Sequence, residues 1–299
     1  MRILEGKIIK NYNGFYYVEV DNDKVYSCKV KGKLKKNRFS LCTGDFVLFE
    51  YDEKHNGESM ITEILPRKNY LSRPIVANID LIVVATSCVD PNFSYLLTDK
   101  LLALAEIAKI PVIIILNKVD LAKEDFLTKC KATYESIGYK VFPISVKNKI
   151  GIVELERELH GKTTAFAGTS GVGKSSTINA IEPGLKLKTG IVSEKIGRGK
   201  HTTRYAELLP FAKGYLVDTP GFGNLSLEDI DAVELRKAFI EFRKYSNECK
   251  FNTCTHTHEP KCEVKAALER GEISRSRYES YLTILEEIKT KKERDDRKW

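Results

Sequence analysis

Residues 168–175 carry the most readily identified chemistry in this 299-residue chain. They read GTSGVGKS and match the pattern G-x-x-x-x-G-K-[ST] at every fixed position. In such a loop glycines let backbone N–H groups approach phosphates, Lys174 reaches the β- and γ-phosphates, and the Ser175 hydroxyl ligates Mg²⁺. A predicted strand at 164–167 enters the loop and a helix is predicted to leave it. We expect nucleotide phosphates to contact Gly168, Thr169, Ser170, Gly171, Val172, Gly173, Lys174, Ser175 and Ser176.

A second motif, NKVD at residues 117–120, indicates which base the nucleotide carries. It directly follows a predicted strand at 112–116 and resembles the NKxD motif of GTPases. There the aspartate accepts from guanine N1–H and the exocyclic amine, a donor pair that adenine lacks. A short loop after the predicted strand at 141–144 resembles the second guanine-contacting loop of the same superfamily. The expected guanine-binding residues are Asn117, Lys118, Asp120, Ser145, Val146 and Lys147.

The sequence DTPG at residues 218–221 resembles the DxxG motif of GTPases. By that resemblance Asp218 holds Mg²⁺ through water and the Gly221 amide senses the γ-phosphate. The segment GRGKHTTR at 197–204 lies between the two phosphate-binding motifs. A threonine in this segment is expected to complete the magnesium shell in the GTP state. The sequence leaves open whether Thr202 or Thr203 does so.

The residue after DTPG bears on the rate of hydrolysis. Ras-like enzymes often use a glutamine here to orient the attacking water, whereas this chain has Phe222. Because a phenyl ring cannot orient water, we expect slow hydrolysis until a partner assists. His201 is the local candidate for positioning the water, and the alternative is a switch or RNA-contacting role without chemistry. The expected catalytic set is His201, Lys174, Thr202 and Thr203.

Three of the seven cysteines lie within fourteen residues, together with two histidines. The spacing Cys249-x4-Cys254-x-His256-x5-Cys262 supplies three thiolates and one imidazole, which suits tetrahedral Zn²⁺. His258 could replace His256, and free thiols beside surface histidines are the alternative without metal. Because four protein ligands leave no open coordination position, we expect one structural zinc ion.

Residues 1–68 are expected to form an RNA-binding barrel. Turn signals such as Asn13-Gly14 separate five short predicted strands, at 3–10, 15–20, 24–30, 45–51 and 59–65. This number fits an OB-fold, and an SH3-like barrel is the alternative. Residues 29–38 contain six basic and no acidic side chains. We favour contact between this loop and RNA phosphates over a loop that is only solvated.

Residues 69–225 alternate apolar, strand-like runs with helical stretches. This alternation predicts a parallel sheet with helices on both faces. Candidate strands at 206–209 and 215–217 complete the sheet at roughly six strands. The segment therefore has the pattern of an α/β nucleotide-binding domain.

Residues 226–299 are predicted to be helical and to carry the zinc site. Ser226 is a candidate helix cap with Asp229 three residues on, and later helices are expected at 264–270 and 274–298. The expected fold class is α/β: a P-loop domain between an N-terminal OB-fold and a C-terminal helical zinc-binding domain.

The distribution of charge favours a polyanionic partner. The net charge is +8, and residues 66–225 hold 22 basic and 15 acidic side chains, a net of +7. The apolar runs are too short to span a bilayer, and the first residues lack the pattern of a secretion signal. We therefore expect a cytoplasmic protein that makes no membrane contact.

The order of the motifs is unusual, because NKVD precedes the phosphate-binding loop and DTPG follows it. Circular permutation accounts for this order, since it preserves packing and changes connectivity only. The permuted motifs, the segment GRGKHTTR and the cluster CKFNTCTHTHEPKC resemble the RsgA (YjeQ-like) family of bacterial GTPases that depend on the small ribosomal subunit. The resemblance covers essentially the whole chain.

This resemblance implies a circularly permuted GTPase domain, with His256 as the fourth zinc ligand. It implies GTP hydrolysis stimulated by the 30S subunit during late maturation of that subunit. The implied partners of a monomeric chain are the 30S subunit and its 16S rRNA, and the cofactors are GTP or GDP, Mg²⁺ and one Zn²⁺. Two rival functions are a nucleotide-gated RNA-binding module whose turnover is incidental, and a GTPase acting on the large subunit or a non-ribosomal RNA.

Overall fold

The computed structural model describes residues 2–21, 24–30, 41–51, 59–72, 74–187, 206–218 and 230–296. The chain divides into two compact units. The first unit collects Met1–Leu81, Glu156–Phe166 and Val192–Phe222, and the second collects Ile82–Leu155, Ala167–Ile191 and Gly223–Trp299. Each unit therefore combines elements from separate parts of the sequence.

Five strands form a barrel in the first unit: β1 (Arg2–Tyr12), β2 (Phe15–Val20), β3 (Lys24–Val30), β4 (Phe46–Tyr51) and β5 (Ser59–Ile64). β1 pairs with both β2 and β4, and β3 pairs with β5 in parallel, so the strands close in the order β1-β2-β3-β5-β4-β1. The barrel interior is apolar, with Ile8, Val18, Cys28, Val47, Phe49 and Ile61 fully buried. The closed order confirms the predicted OB-type barrel.

A short hairpin that was not predicted follows the barrel, formed by β6 (Tyr70–Ser72) and β7 (Ile75–Ala77). The side chain of Asn69 pairs with the backbone of Ile79, where Oδ1 accepts from the amide at 2.9 Å and Nδ2 donates to the carbonyl at 2.8 Å. This asparagine therefore joins the two ends of the hairpin.

The first unit also holds most of β11 (Thr163–Ala167), together with β12 (Glu207–Phe211) and β13 (Gly214–Asp218). β13 runs parallel to β11, but β12 runs antiparallel to β13, which corrects the expectation of an all-parallel sheet. Only Ala212 and Lys213 connect β12 to β13, with φ values of 48° and 57°. A two-residue link with positive φ makes a hairpin, whereas a parallel crossover requires about a dozen residues.

The second unit contains a parallel sheet whose strands alternate with helices, as predicted. β9 (Val112–Asn117) lies between β8 (Leu81–Ser87) and β10 (Lys140–Pro143). The helices that follow strands in the chain are α1 (Tyr95–Ile107), α2 (Glu124–Glu135), α3 (Ile152–Leu159) and α4 (Lys174–Ile181). The second half of α3, from Glu156, belongs to the first unit. β8 and β9 are buried on both faces, with every residue of β8 buried, whereas Lys140 of β10 is exposed.

Four helices complete the second unit: α5 (Ala232–Ala238), α6 (Arg243–Ser246), α7 (Glu263–Glu269) and α8 (Arg275–Asp296). Asp231 caps α5 by accepting from the Glu234 amide at 2.7 Å. The predicted cap at Ser226 and Asp229 lies outside the described residues. α5 and α8 both pack against α1, around a core that includes Phe239, Phe242 and Tyr281. The C-terminal helices therefore share one compact unit with the NKVD motif and the phosphate-binding loop, whereas Asp218 belongs to the first unit.

Candidate functional site

The phosphate-binding loop lies between the end of β11 and the start of α4. Gly168 and Gly173 have positive φ values of 146° and 96°, and a Cβ at Gly168 would lie 2.2 Å from the Ala85 carbonyl oxygen. Lys174 Nζ donates to the carbonyls of Gly168 at 2.7 Å and Thr169 at 2.8 Å. The ammonium group therefore lies inside the loop, as phosphate binding requires.

Asn117 supports the phosphate-binding loop directly. Its Nδ2 donates to the Val172 carbonyl at 2.9 Å, while its Oδ1 accepts from the Lys118 amide at 2.8 Å. A Cβ on Gly173 would lie 2.2 Å from the Asn117 amide nitrogen, so only glycine fits there. The NKVD turn and the phosphate-binding loop are therefore held together by one buried side chain.

The carboxylate of Asp120 is positioned by Ser145. The Ser145 hydroxyl, which is fully buried, donates to Asp120 Oδ1 at 2.6 Å and accepts from the Asn148 amide at 3.1 Å. The Val119 amide also donates to the Ile144 carbonyl at 3.2 Å. A carboxylate fixed in this way has acceptor capacity for the two N–H donors of guanine. The structure thus brings together the two segments that sequence analysis assigned to the base, with Val146 half-buried and Lys147 exposed.

The segment after β8 contributes contacts that the sequence motifs did not reveal. Lys118 Nζ donates to the Asp90 carbonyl, and the Cys88 amide donates to the Asn117 carbonyl at 3.0 Å. Burial, with the nearby Asp120 charge, raises the pKa of Cys88 to about 11, so its thiol stays neutral. Backbone carbonyls carry no side-chain signature, and for that reason Asp90 could not be found from the sequence.

The expected switch residues are only partly described. Asp218 ends β13 in the first unit, where its backbone pairs with Glu207 of β12. Ser175 and Ser176 are half-buried in the first turn of α4, in the second unit. His201, Thr202, Thr203 and Gly221 lie outside the described residues.

The predicted metal ligands Cys249, Cys254, His256 and Cys262 converge in the second unit. All four are buried, and their ligand atoms lie within 4.8 Å of one another. Cys249 Sγ is 3.9 Å from Cys262 Sγ, and His256 Nδ1 is 3.7 Å and 3.4 Å from the same two sulfurs. A tetrahedral zinc ion with bonds of about 2.3 Å to sulfur and about 2.0 Å to nitrogen separates its ligands by about 3.5–3.8 Å. The donor set and spacing fit zinc.

The structure also distinguishes the two histidines of this cluster. His256 is fully buried with Nδ1 toward the sulfurs, whereas His258 is exposed and its Nδ1 contacts the Thr257 hydroxyl at 3.0 Å. Burial, aided by the charge of Arg236, lowers the pKa of His256 to about 4, which keeps the imidazole neutral as a ligand must be. The geometry therefore favours His256 as the fourth ligand.

Groups around the cluster hold its loop in place. Tyr278 OH donates to the His256 carbonyl at 2.6 Å, and Arg236 donates to the carbonyls of Asn252 at 2.7 Å and Cys254 at 2.9 Å. Burial alone would raise the pKa of Glu259, but hydrogen bonds from Thr255 and Thr257 outweigh it and lower that pKa to about 2. Because four buried protein ligands would fill a tetrahedral shell and leave no open coordination position, the cluster suits a structural role.

Comparison with known proteins places the chain in a family. The protein-family model described as RsgA GTPase matches residues 64–228 of the sequence, and the family model described as RsgA N-terminal domain matches residues 5–59. A protein of Alkaliphilus metalliredigens described as small ribosomal subunit biogenesis GTPase RsgA is 45% identical over 286 residues, which is 95% of this chain and 98% of the relative.

Two crystal structures are similar to nearly the full length of the chain. YjeQ from Thermotoga maritima superimposes with a TM-score of 0.84 at 38% identity, covering 96% of this chain and 99% of that one. YloQ, described as a circularly permuted GTPase, gives 0.81 at 38% identity, covering 97% of this chain and 96% of that one. No helix among the described residues is long and apolar enough to cross a membrane. The fold is thus a circularly permuted GTPase with an N-terminal barrel, and the chain is a GTP hydrolase that belongs to the RsgA family.

Proposed function

We propose that this chain binds the 30S ribosomal subunit and hydrolyses GTP to GDP and phosphate during late maturation of that subunit. The observation that carries the proposal is the 45% identity, over 95% of the chain, to a relative named for small-subunit biogenesis. The same likeness supports a monomeric cytoplasmic protein whose partners are the 30S subunit and 16S rRNA.

In the proposed function, three segments of the chain have separate roles. Residues 1–68 contact rRNA through the barrel, residues 69–225 bind and hydrolyse GTP, and residues 226–299 form a zinc-stabilised helical domain. The basic run at 29–38 supports the RNA contact, although residues 31–38 lie outside the described part of the chain. Slow intrinsic turnover follows from Phe222, since no glutamine stands after DTPG to orient water.

The proposed roles of the base-binding and phosphate-binding residues follow the geometry of the second unit, and those of Asp218, His201, Thr202 and Thr203 follow the sequence motifs alone. Asp120, oriented by Ser145, accepts from guanine, and Asn117 keeps the phosphate-binding loop in register with the base site. Lys174 and the amides of the loop bind phosphate oxygens. Ser175, Asp218 through water, and Thr202 or Thr203 would hold Mg²⁺, which supplies positive charge to the phosphates when bound. His201 is proposed to position the attacking water.

GTP turnover by the full chain should be measured alone, with 30S subunits and with 50S subunits. We expect slow turnover alone and strong acceleration by 30S subunits only. Stimulation by 30S no greater than by 50S or buffer would refute the small-subunit assignment. Tight nucleotide-dependent RNA binding without acceleration of GTP turnover would instead favour the second candidate function, a nucleotide-gated RNA-binding module. Phe222 in place of a water-orienting glutamine is the observation that favours this candidate.

A further inference from the structure

The hydroxyl of Thr43 connects the barrel to β12, the strand that follows the segment at 197–204 in the chain. Thr43 is 2% exposed, and its Oγ1 donates to the Ala206 carbonyl at 2.7 Å. Both residues belong to the first unit. Ala206 directly precedes β12 and comes three residues after Thr203 in the chain. A side chain beside the barrel thus fixes the residue that immediately precedes β12.

The next residue along β12 extends this connection to the expected magnesium aspartate. Glu207 pairs with Lys10 of β1 on one side and with Asp218 of β13 on the other. Lys10 Nζ also contacts Glu207 Oε1 at 2.8 Å. The strand register therefore places a barrel residue, a β12 residue and Asp218 in one row across a single sheet. Ala206 and Glu207 therefore contact the barrel side of the sheet directly, and Asp218, the first residue of DTPG, is joined to it through β12.

The turn that carries Thr43 is rigidly held. Asp45 is fully buried, and its carboxylate accepts from Arg67 Nε at 2.6 Å and from the Cys42 amide at 2.8 Å. Gly44 donates its amide to the Ile8 carbonyl at 2.8 Å, and with φ of +92° a Cβ there would lie 2.0 Å from the Ala77 carbonyl oxygen. A turn braced on both sides transmits a displacement to Thr43 instead of absorbing it.

We infer that Thr43 is a positioning residue for GTP hydrolysis: it holds β12, and through β12 the Asp218 end of β13, to the barrel. A partner seated on the barrel can then alter turnover through this hydrogen bond. The identification of that partner as ribosomal RNA rests on the proposed function. The role of Thr43 in holding β12 is independent of it. In the sequence the basic run at 29–38, which we propose contacts RNA phosphates, ends five residues before Thr43.

Three variants of the full chain test this inference. Thr43→Val keeps the shape but removes the donor, and Thr43→Ser restores a hydroxyl. Thr62→Val is the matched control, because Thr62 Oγ1 donates at 3.2 Å to the Leu48 carbonyl within the barrel. By hydrogen–deuterium exchange of GDP-bound protein, we expect residues 206–211 to exchange about tenfold faster in Thr43→Val, the effect of losing one net hydrogen bond. Thr43→Ser and Thr62→Val should exchange like wild type there.

Steady-state GTP turnover supplies a readout that a general loss of stability would not reproduce. With 30S subunits present, Thr43→Val should lower kcat about tenfold and leave the KM for GTP unchanged, because β12 does not bind the base. Equal exchange at 206–211 in Thr43→Val and Thr62→Val, or a rise in KM with unchanged kcat, would overturn the inference. If wild type itself shows no stimulation by 30S, the proposed function fails, and the exchange measurement still decides the role of Thr43.

Discussion

The guanidinium of Arg277 donates to the Asp99 carboxylate at 2.7 Å, and both side chains are buried from solvent to within 1%. Arg277 lies on α8 and Asp99 on α1. The same guanidinium donates to both carboxylate oxygens of Glu241, at 2.8 Å and 2.9 Å. One arginine therefore joins the C-terminal helices to the first helix of the nucleotide-binding elements.

Arg277→Ala should lower the free energy of unfolding by about 3–5 kcal/mol, because it leaves two buried carboxylates without their cation. Arg277→Lys should not restore stability, since one ammonium cannot reproduce the fork of three donors. Arg270→Ala is the matched control: Arg270 is exposed and contacts Glu263 and Glu272 at the surface. Urea denaturation measures all three, and equal losses from Arg277→Ala and Arg270→Ala would contradict this account.

Asp120→Asn should weaken GDP binding by about 1.5–3 kcal/mol, or roughly 10- to 150-fold in Kd, because a charged acceptor for two guanine donors is lost. The new amide N–H₂ should favour a xanthine nucleotide, which carries a carbonyl where guanine has its amine. Asp125→Asn, at an exposed position of α2, is the control. Titration with fluorescent GDP and xanthosine diphosphate gives both affinities, and unchanged preference for GDP would count against the guanine role.

Lys174→Ala should reduce kcat/KM for GTP about 10²- to 10³-fold, since the charge that stabilises the phosphates is removed. The zinc content should remain at the wild-type level, because Lys174 lies outside the metal cluster. Lys131→Ala removes a surface lysine whose only expected contribution is a weak pair with Glu135. Stimulated turnover retained by Lys174→Ala would contradict the assigned role.

Cys249→Ala should remove zinc and unfold the C-terminal helices, because binding of a structural metal contributes directly to folding. Cys130→Ala truncates another buried cysteine of the same unit that takes no part in the metal cluster, and it should keep one zinc per chain. Atomic absorption gives the metal content and circular dichroism the helix content. A well-folded Cys249→Ala protein without metal would disprove the structural role.

Titration of Lys7 should make the free energy of unfolding depend on pH in the alkaline range. Burial lowers its pKa to about 8, with the Asp80 charge opposing, while Nζ donates to Thr163 Oγ1 at 2.6 Å and lies 4.8 Å from the centre of the Tyr215 ring. Between about pH 8 and 10.5 the unfolded chain binds more protons at this lysine than the folded chain does, so stability rises with pH.

The measurement is the urea midpoint of wild type relative to Lys7→Met across that range. The urea midpoint of wild type minus that of Lys7→Met should increase as pH rises above about 8. Below about pH 8 this difference should stay constant. Lys24→Met, at the exposed start of β3, controls for the general loss of a lysine charge. A difference in midpoint that does not change with pH would contradict a lowered pKa of Lys7 in the folded protein.

The elements that sequence patterns predicted well are those in which one local signal decides the structure. Alternation, turn residues and a glycine-rich loop located the barrel strands, the helix after Gly173 and the spacing of the metal ligands. The direction of β12 was missed because apolar runs do not specify orientation. The short link at Ala212-Lys213, without a glycine or asparagine, gave no conventional hairpin signal.

Contacts between distant segments could not be read from the chain. Arg277 stands in a helix rich in charged residues, and nothing in its sequence neighbourhood separates it from exposed arginines. Thr43 is an ordinary threonine until folding brings it to Ala206, 163 residues away. Asn117 was expected to contact guanine, and only the folded structure shows its amide holding the phosphate-binding loop. Such residues acquire their roles from tertiary packing, which periodicity and spacing do not encode.

The pairing of β1 with β12 means that the barrel is not a detachable module. A fragment beginning after residue 68 would leave β12 without its neighbour and present a bare edge, which recruits other chains into sheets. Grafting a different barrel onto this GTPase would likewise have to supply a strand and a hydroxyl donor at the same positions. A substitution that disturbs the junction between β1 and β12 should therefore affect the barrel and the β12–β13 hairpin together.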